Sequence, residues 1–599
     1  MAAQTQHPSI RIGNVSGATG DAPTAMSRMA ASGQVDVITG DWLSEMNIAW
    51  NAIAKDQDSS LGYEAGFLVQ LEESLEDVVK NGIKVITNAG ALNTRELTRK
   101  VRELCQERGH DLVVAAVLGD DITSDLDLTL QHLDHPEWML ANLGLEPYCG
   151  VAYIGCWGIV EALKQGADIV ICGRVTDASP VIGAAAWRHG WSREDFDYLA
   201  RALVAGHLIE CGPYVTGANF SGFKTLLPLV DLSFPIAEIA QEGQVTITRC
   251  QGYGGAVTRE NAIAQLLYEI QGTHYLNSDV VADLSDVRIS QIGPDRVEVT
   301  GIRGAPPPST TKAMVAAKGG YEASAYFYIN GLDISAKVQM MKEQLAHVFR
   351  SHAFTKLSID VYGSVPEEPH SQAEGTVTLR VFAQARKRDD IAADRFKIPI
   401  YALRMQSYPG YHMNLDFRTM DPKPFMEIFP VVYPLNKIKH QVQLPDRVLD
   451  IPPNTLTAEY HCQTSYETAH PISLEIFGPT TRLPLGAIVH ARSGDKADNS
   501  NIGFFVRHAD EFRWLQTYLT IERLQRLFGD DWRRKNGTFP TVERCEFPKI
   551  FAVHFRVLDF LDGGIASSSR IDGLGKGIAE YLRSRHADLP VQFVGRGTI

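Results

Sequence analysis

From Ile10 onward one pattern recurs: a short apolar run, a turn rich in glycine or acidic residues, then a longer segment with apolar residues at helical spacing. That alternation is the signature of βαβ units around a mainly parallel sheet. It predicts strands over Ile10–Val15, Val35–Thr39, Ile83–Thr87, Leu112–Leu118, Val151–Ile154 and Ile169–Cys172. Leu61–Asn81 and Ala89–Arg108 carry apolar residues at helical spacing with charges on the other face, so they are expected to cover the sheet. The expected fold class is therefore α/β, a mainly parallel Rossmann-like sheet with helices on both faces.

After about residue 250 the texture changes. Val287–Ser290, Val297–Val299, Ser324–Ile329, Lys356–Val361 and Thr376–Phe382 read as strands with one strong helix, Ile334–His352, among them. This predicts an α+β region packed on the first unit. The polar stretch Ser364–Gly375 reads as a surface loop. Pro452–Pro479 is punctuated by prolines, and a strand and helix pattern restarts near Leu483. The expected units are 8–250, 251–460 and 483–599, in keeping with a 599-residue chain and domains of roughly 150 residues.

Composition excludes several classes. Hydrophobic residues make up 44% and charged residues 21%, which is globular rather than disordered. A net charge of −14 gives no field toward nucleic acid. The eight cysteines form no C-x-x-C pair, so neither a disulfide scaffold nor a cysteine-type zinc site is indicated. No signal-peptide core is visible at the N-terminus and no apolar stretch is long enough to span a bilayer, so a soluble cytoplasmic protein without membrane or nucleic-acid partners is expected.

The first strand runs into a loop with Gly17, Thr19 and Asp21, a geometry that aims backbone N–H groups at an anion or simply makes a tight turn. It matches neither G-x-G-x-x-G nor a phosphate loop, and no cofactor is expected. Asp41, Glu45, Glu64, Asn88 and Asp120 stand near strand ends, the edge where ligands bind in open α/β sheets, although such residues also cap helices. ICGRVTDASPVIG delivers Arg174, Thr176 and Asp177 together: an arginine for carboxylate or phosphate beside an acid, or a structural ion pair. Arg174 is expected to serve an anion rather than the core.

AGHLIECG places His207 and Glu210 on one helix face, with Cys211 and Asn219 following. His207 suits proton transfer near neutral pH, and Cys211 suits a nucleophile only if His207 reaches it. His207 with Glu210, or His132 with His135, supplies too few ligands for a recognisable metal set, and no metal is expected. GIRGAPPPSTTK, with Arg303 and Lys312, reads as an anion clamp or as a rigid exposed loop. HARSGDKADNSNIG reads as a polar recognition loop carrying Arg492, Asp495 and Lys496, which Leu561–Gly577 is expected to face.

Taken together, GATGD, GRVTDAS, AGHLIECG, RGAPPP and HARSGDKADNSNIG make the chain, from Ile10 to Ile599, resemble the acyclic terpene utilisation (AtuA-type) family. The resemblance implies a long N-terminal region and a small C-terminal ferredoxin-like α+β domain. It also implies chemistry on branched acyl-coenzyme A thioesters, with coenzyme A as part of the substrate. The leading expectation is a homo-oligomeric lyase of the hydratase or dehydratase type, or one that cleaves a carbon–carbon bond. A thioester, ester or lactone hydrolase is the second reading, although no G-x-S-x-G elbow is present. A non-catalytic subunit of an acyl-coenzyme A carboxylase-type assembly is the third.

Overall fold

Five short runs in the first part of the chain form strands: β1 (Ser9–Asn14), β2 (Val37–Gly40), β3 (Lys84–Thr87), β4 (Val114–Leu118) and, further on, Ile169–Cys172. In the computed structural model, which describes residues 9–461, 463–534 and 537–599, these five lie side by side and parallel. Cys462 lies outside the described residues. The side-chain alternation of a strand divides each run between two cores. Ile38, Val85 and Ile171 face one core, while Val37, Ile86 and Val170 face the other.

Helices α1 (Ala25–Ala31), α2 (Glu45–Gln57), α3 (Ala65–Asn81) and α4 (Thr94–Glu107) precede or follow the first strands, and α1, α3 and α4 fill the first core. In α4 the buried positions Leu97, Val101 and Cys105 recur every four residues. The second core is filled by α5 (Trp157–Lys164), α6 (Ser179–His189) and α7 (Phe196–Glu210). Helix α7 is buried continuously from Ala202 to Glu210. Its last polar residues, His207 and Glu210, are thus carried into the interior.

Two expectations need correction. The sheet is mixed rather than mainly parallel: its eleven strands include antiparallel pairs on both flanks of the parallel centre. On one side lie Pro235–Ala240 and Val245–Arg249, joined by a hairpin too short to return a strand in parallel. Arg296–Thr300 and Arg288–Gly293 extend that side, and Gln441–Gln443 with Val448–Asp450 extend the other. Strands from 251–460 therefore complete the first sheet as well as building their own. Second, β5 (Pro147–Ala152) is no parallel neighbour of the core strands but pairs antiparallel with the long strand Thr310–Asn330. The chain between β4 and β5 holds only two short 3₁₀ turns, not the helix a parallel crossover requires. The strand Ile169–Cys172 is hereafter β6.

The long strand organises a second, antiparallel sheet with Thr376–Ala385, Lys356–Tyr362 and Lys423–Pro434, and Ile334–Phe349 covers it through Met341, Leu345 and Phe349. At the C-terminus four antiparallel strands in the order His490–Lys496, Asn499–Phe505, Ala552–Val557, Val542–Phe547 form a third sheet. Ala509–Tyr518, Ile521–Phe528 and Ile578–Ser584 build its separate apolar core. The HARSGDKADNSNIG segment is hence a β-hairpin, not a loop. Its polar residues are buried on partners, as Ser493 Oγ is on Gly575 O (2.7 Å) in the expected facing segment. Among the described residues no helix is long and apolar enough to cross a membrane.

Candidate active site

The C-terminal edge of the parallel strands gathers the polar residues, as the crevice of an open α/β sheet should. Asp41 follows β2, Arg174 and Asp177 follow β6, and the end of α7 brings His207 and Glu210 beneath them. Arg174 is 3% exposed, so it stands inside the protein rather than on its surface. Its Nη2 lies 2.6 Å from Asp177 Oδ1, and its guanidinium stacks 4.0 Å over the Tyr153 ring. Nε and Nη1 find no hydrogen-bond partner among the described residues, and Asp41 Oδ1 is 3.9 Å from Nη1. A buried guanidinium with N–H groups beyond those spent on Asp177 can hydrogen-bond an anionic or carbonyl oxygen.

Asp41 faces that opening. Burial, reinforced by Asp177, pushes its carboxyl up to about 8, despite the attraction of Arg174 and the hydrogen bond from Asn88. At neutral pH it is a proton donor. Asp177 behaves oppositely: burial raises it, but Arg174 and Lys496 outweigh burial and keep it ionised.

His207 and Glu210 form a buried pair, Nδ1 to Oε1 at 3.2 Å. His207 Nε2 lies 3.1 Å from the Leu266 carbonyl, which only accepts, so Nε2 carries a proton and any further titration occurs at Nδ1 against Glu210. Burial lowers the imidazole, but Glu210 outweighs it and raises it overall, while burial also raises Glu210. Glu210 Oε2 has no hydrogen-bond partner among the described residues. A void of about 10 Å³, bordered by Asn14, Asp41, Asp177 and Glu210, is close to the least space that admits one water.

The C-terminal hairpin completes the cluster. Lys496 Nζ reaches Glu269 Oε2 (3.1 Å) and Asp177 Oδ2 (3.5 Å), and Lys312 Nζ pairs with Glu45 Oε1 at 2.7 Å. Burial works against both ammonium groups, yet Glu269 and Glu45 outweigh it and hold them charged. Burial and Glu269 push Asp495 up to about 8.

Other expected site residues have structural partners. Gly17 lies where a Cβ would stand 2.7 Å from the Cys211 backbone, and its N–H donates to Asp21 Oδ2 (2.9 Å), so Asp21 closes the loop rather than leaving it open to an anion. Thr19 and Asn51 both bond to Glu64, and Asn88 braces Asp41. Asp120 Oδ2 accepts the Arg174 backbone N–H (2.6 Å). Thr176 bonds to Ser179 and Asn277. Arg492 sits between Tyr214 and Tyr268, 4.3 and 4.4 Å from their rings, with Nη1 on the Asn219 carbonyl (2.6 Å). Burial and the Glu210 charge push the Cys211 thiol well up, the reverse of what a nucleophile needs. Arg303 faces solvent on Asp286, whereas Lys312 of the same segment turns inward.

His132 and His135 belong to an aromatic cluster with Trp138, and His135 pairs with Asp559 (2.9 Å). Tyr153, Glu269 and Tyr275, the last edge-on to His207, are parts of the cluster that no spacing in the sequence announces.

Residues 10–444 match the family described as acyclic terpene utilisation family protein AtuA, and residues 483–588 match the AtuA ferredoxin-like domain. No curated protein matches the chain. Among solved structures, homoserine dehydrogenase of S. aureus aligns at 9% identity over 68% of this chain and 84% of that one, with a TM-score of 0.12. A second structure of that enzyme aligns at the same identity and TM-score. Neither carries an argument about fold or chemistry.

Proposed function

We propose that this chain, which belongs to the acyclic terpene utilisation family AtuA, is an enzyme that moves protons on a branched acyl thioester or related carboxylate. The reaction is addition or removal of water, or cleavage of a carbon–carbon bond. The observation that carries this reading is the buried guanidinium of Arg174 set between two unlike carboxyls, Asp177 at 2.6 Å, kept ionised, and Asp41 at 3.9 Å, raised to about 8. In the dehydration direction, with the C-terminal hairpin drawn back to admit the acyl end into what is otherwise a water-sized void, Glu210 Oε2 takes the proton next to the carbonyl, with His207 holding the resulting charge balance. Arg174 donates to the oxygen on which negative charge develops, the preorganised role that lowers such barriers most. Asp41 gives its proton to the departing hydroxide, so one C–H and one C–O bond break and water leaves. Hydration is the reverse. Cys211, held as a thiol, plays no part.

The test incubates the purified protein with enoyl, 3-hydroxyacyl and saturated branched acyl thioesters and follows intact masses. Gain or loss of one water, abolished in Asp41→Asn, supports the proposal. Release of free thiol would replace it with a hydrolase, and binding without turnover would replace it with a subunit that only carries the thioester.

A further inference from the structure

A second polar concavity lies on the C-terminal domain. It has a volume of about 730 Å³, within the roughly 300–1,000 Å³ of small-molecule sites. Four guanidinium groups from three segments line it: Arg482 from Thr480–Pro484, Arg523 and Arg526 from Ile521–Phe528, and Arg585 just before His586–Pro590. Against these four stand the carboxylates Glu475 and Asp588, so the lining is locally cationic in a chain of net charge −14.

The arginines are free to turn to a ligand. Among the described residues neither Arg523 nor Arg585 has a carboxylate within ion-pair distance, while Arg482 meets Asp588 only at 3.4 Å on an exposed surface, and Arg526 pairs with Glu522 on the exposed side of its own helix. Such exposed pairs hold little energy. Arg523 is poised 4.6 Å over the ring of Tyr518, which stacks on Trp514 with ring centres 4.7 Å apart. Both rings are buried, so what they give the concavity is a guanidinium held in place, and that guanidinium ringed by three more suits the phosphates of a diphosphate.

We infer that this concavity binds the phosphorylated end of a nucleotide, an adenosine diphosphate-like group, through Arg482, Arg523, Arg526 and Arg585. The inference does not rest on the proposed reaction. Free nucleotides and coenzyme A both carry this chemistry.

Calorimetric titration of the full chain with ADP, pyrophosphate, adenosine and coenzyme A tests it, in parallel with Arg523→Gln/Arg585→Gln. Saturable binding of ADP and pyrophosphate is expected, weakened at least about tenfold in the double variant with the unliganded melting temperature unchanged. Raising salt should weaken it further. Coenzyme A binding tighter than ADP would identify a thioester tail as the natural ligand; equal affinity would identify a free nucleotide. No saturable binding of any phosphate-bearing probe, adenosine binding as well as ADP, or affinities indifferent to the double variant would each overturn the inference. Should the double variant misfold, Arg523→Lys, which keeps the charge but not the fork, must weaken ADP binding for the inference to stand.

Discussion

Lys496 Nζ lies 3.5 Å from Asp177 Oδ2, which ties the tip of the C-terminal hairpin to the loop that follows β6. The candidate active site is therefore shared between the long N-terminal region and the ferredoxin-like domain. Replacing Lys496 by Met should leave Asp177 and Glu269 short of a cation and destabilise the protein by roughly 2–4 kcal/mol. Chemical denaturation measures this, and Lys496→Arg should recover most of the loss. An unchanged denaturation midpoint in Lys496→Met would show that the pair contributes nothing.

Asp41 makes stability depend on pH. Its carboxyl is raised from 3.8 to about 8 in the folded protein, so the folded state holds a proton that the unfolded chain releases. The stabilising protonation is fully present below pH 3.8 and is lost as pH rises to about 8. Asp41→Asn, which still accepts from Asn88, removes this dependence. The melting temperature of the variant relative to wild type should thus climb steadily between those limits. A difference that stays constant with pH would mean that Asp41 is ionised throughout. Activity should fall by about 10²- to 10⁴-fold if Asp41 is the acid.

His207 touches Glu210 rather than open space, and its hydrogen bond and charge hold Glu210 down against burial. His207→Gln should therefore raise the Glu210 carboxyl and move the acid limb of the pH–rate profile to higher pH, with a rate loss of roughly 10²- to 10⁴-fold. His207→Ala should behave alike. A profile with both limbs unmoved in His207→Gln would make the histidine a packing residue.

The C-terminal domain has an apolar core of its own, but its fully buried Arg544 is satisfied partly from outside 483–599. Nη1 donates to the Tyr466 carbonyl (2.9 Å), and the backbone N–H donates to Ser465 Oγ (3.1 Å). A fragment 464–599 should unfold cooperatively and be more stable than 483–599, by about 1–3 kcal/mol for the recovered partners of a buried guanidinium. Equal stabilities would show that the linker adds nothing.

Much of the site's inventory is legible in the order of residues along the chain. The strand ends deliver Asp41, Arg174 and Asp177 to one edge because β2 and β6 both join the parallel centre, where the turns that follow the strands all open on the same side. The spacing of His207 and Glu210 sets them on one helical face, and they do meet. HARSGDKADNSNIG reads as a loop for a plain reason: its strands bury polar side chains, so their composition imitates one.

Local pattern in the sequence determined where the apolar runs break, which helices are amphipathic and which residue types gather at each break, since all of these depend on neighbours a few positions apart. Tertiary structure alone decided that β5 leaves the parallel sheet, that antiparallel strands flank it, and that Lys496, Glu269, Lys312 and Tyr153 converge on Arg174. It also decided which carboxyl keeps its proton. Asp41 and Asp177 are the same residue type, yet one is raised and the other lowered, because each answers to the burial and charges assembled around it by segments hundreds of residues apart.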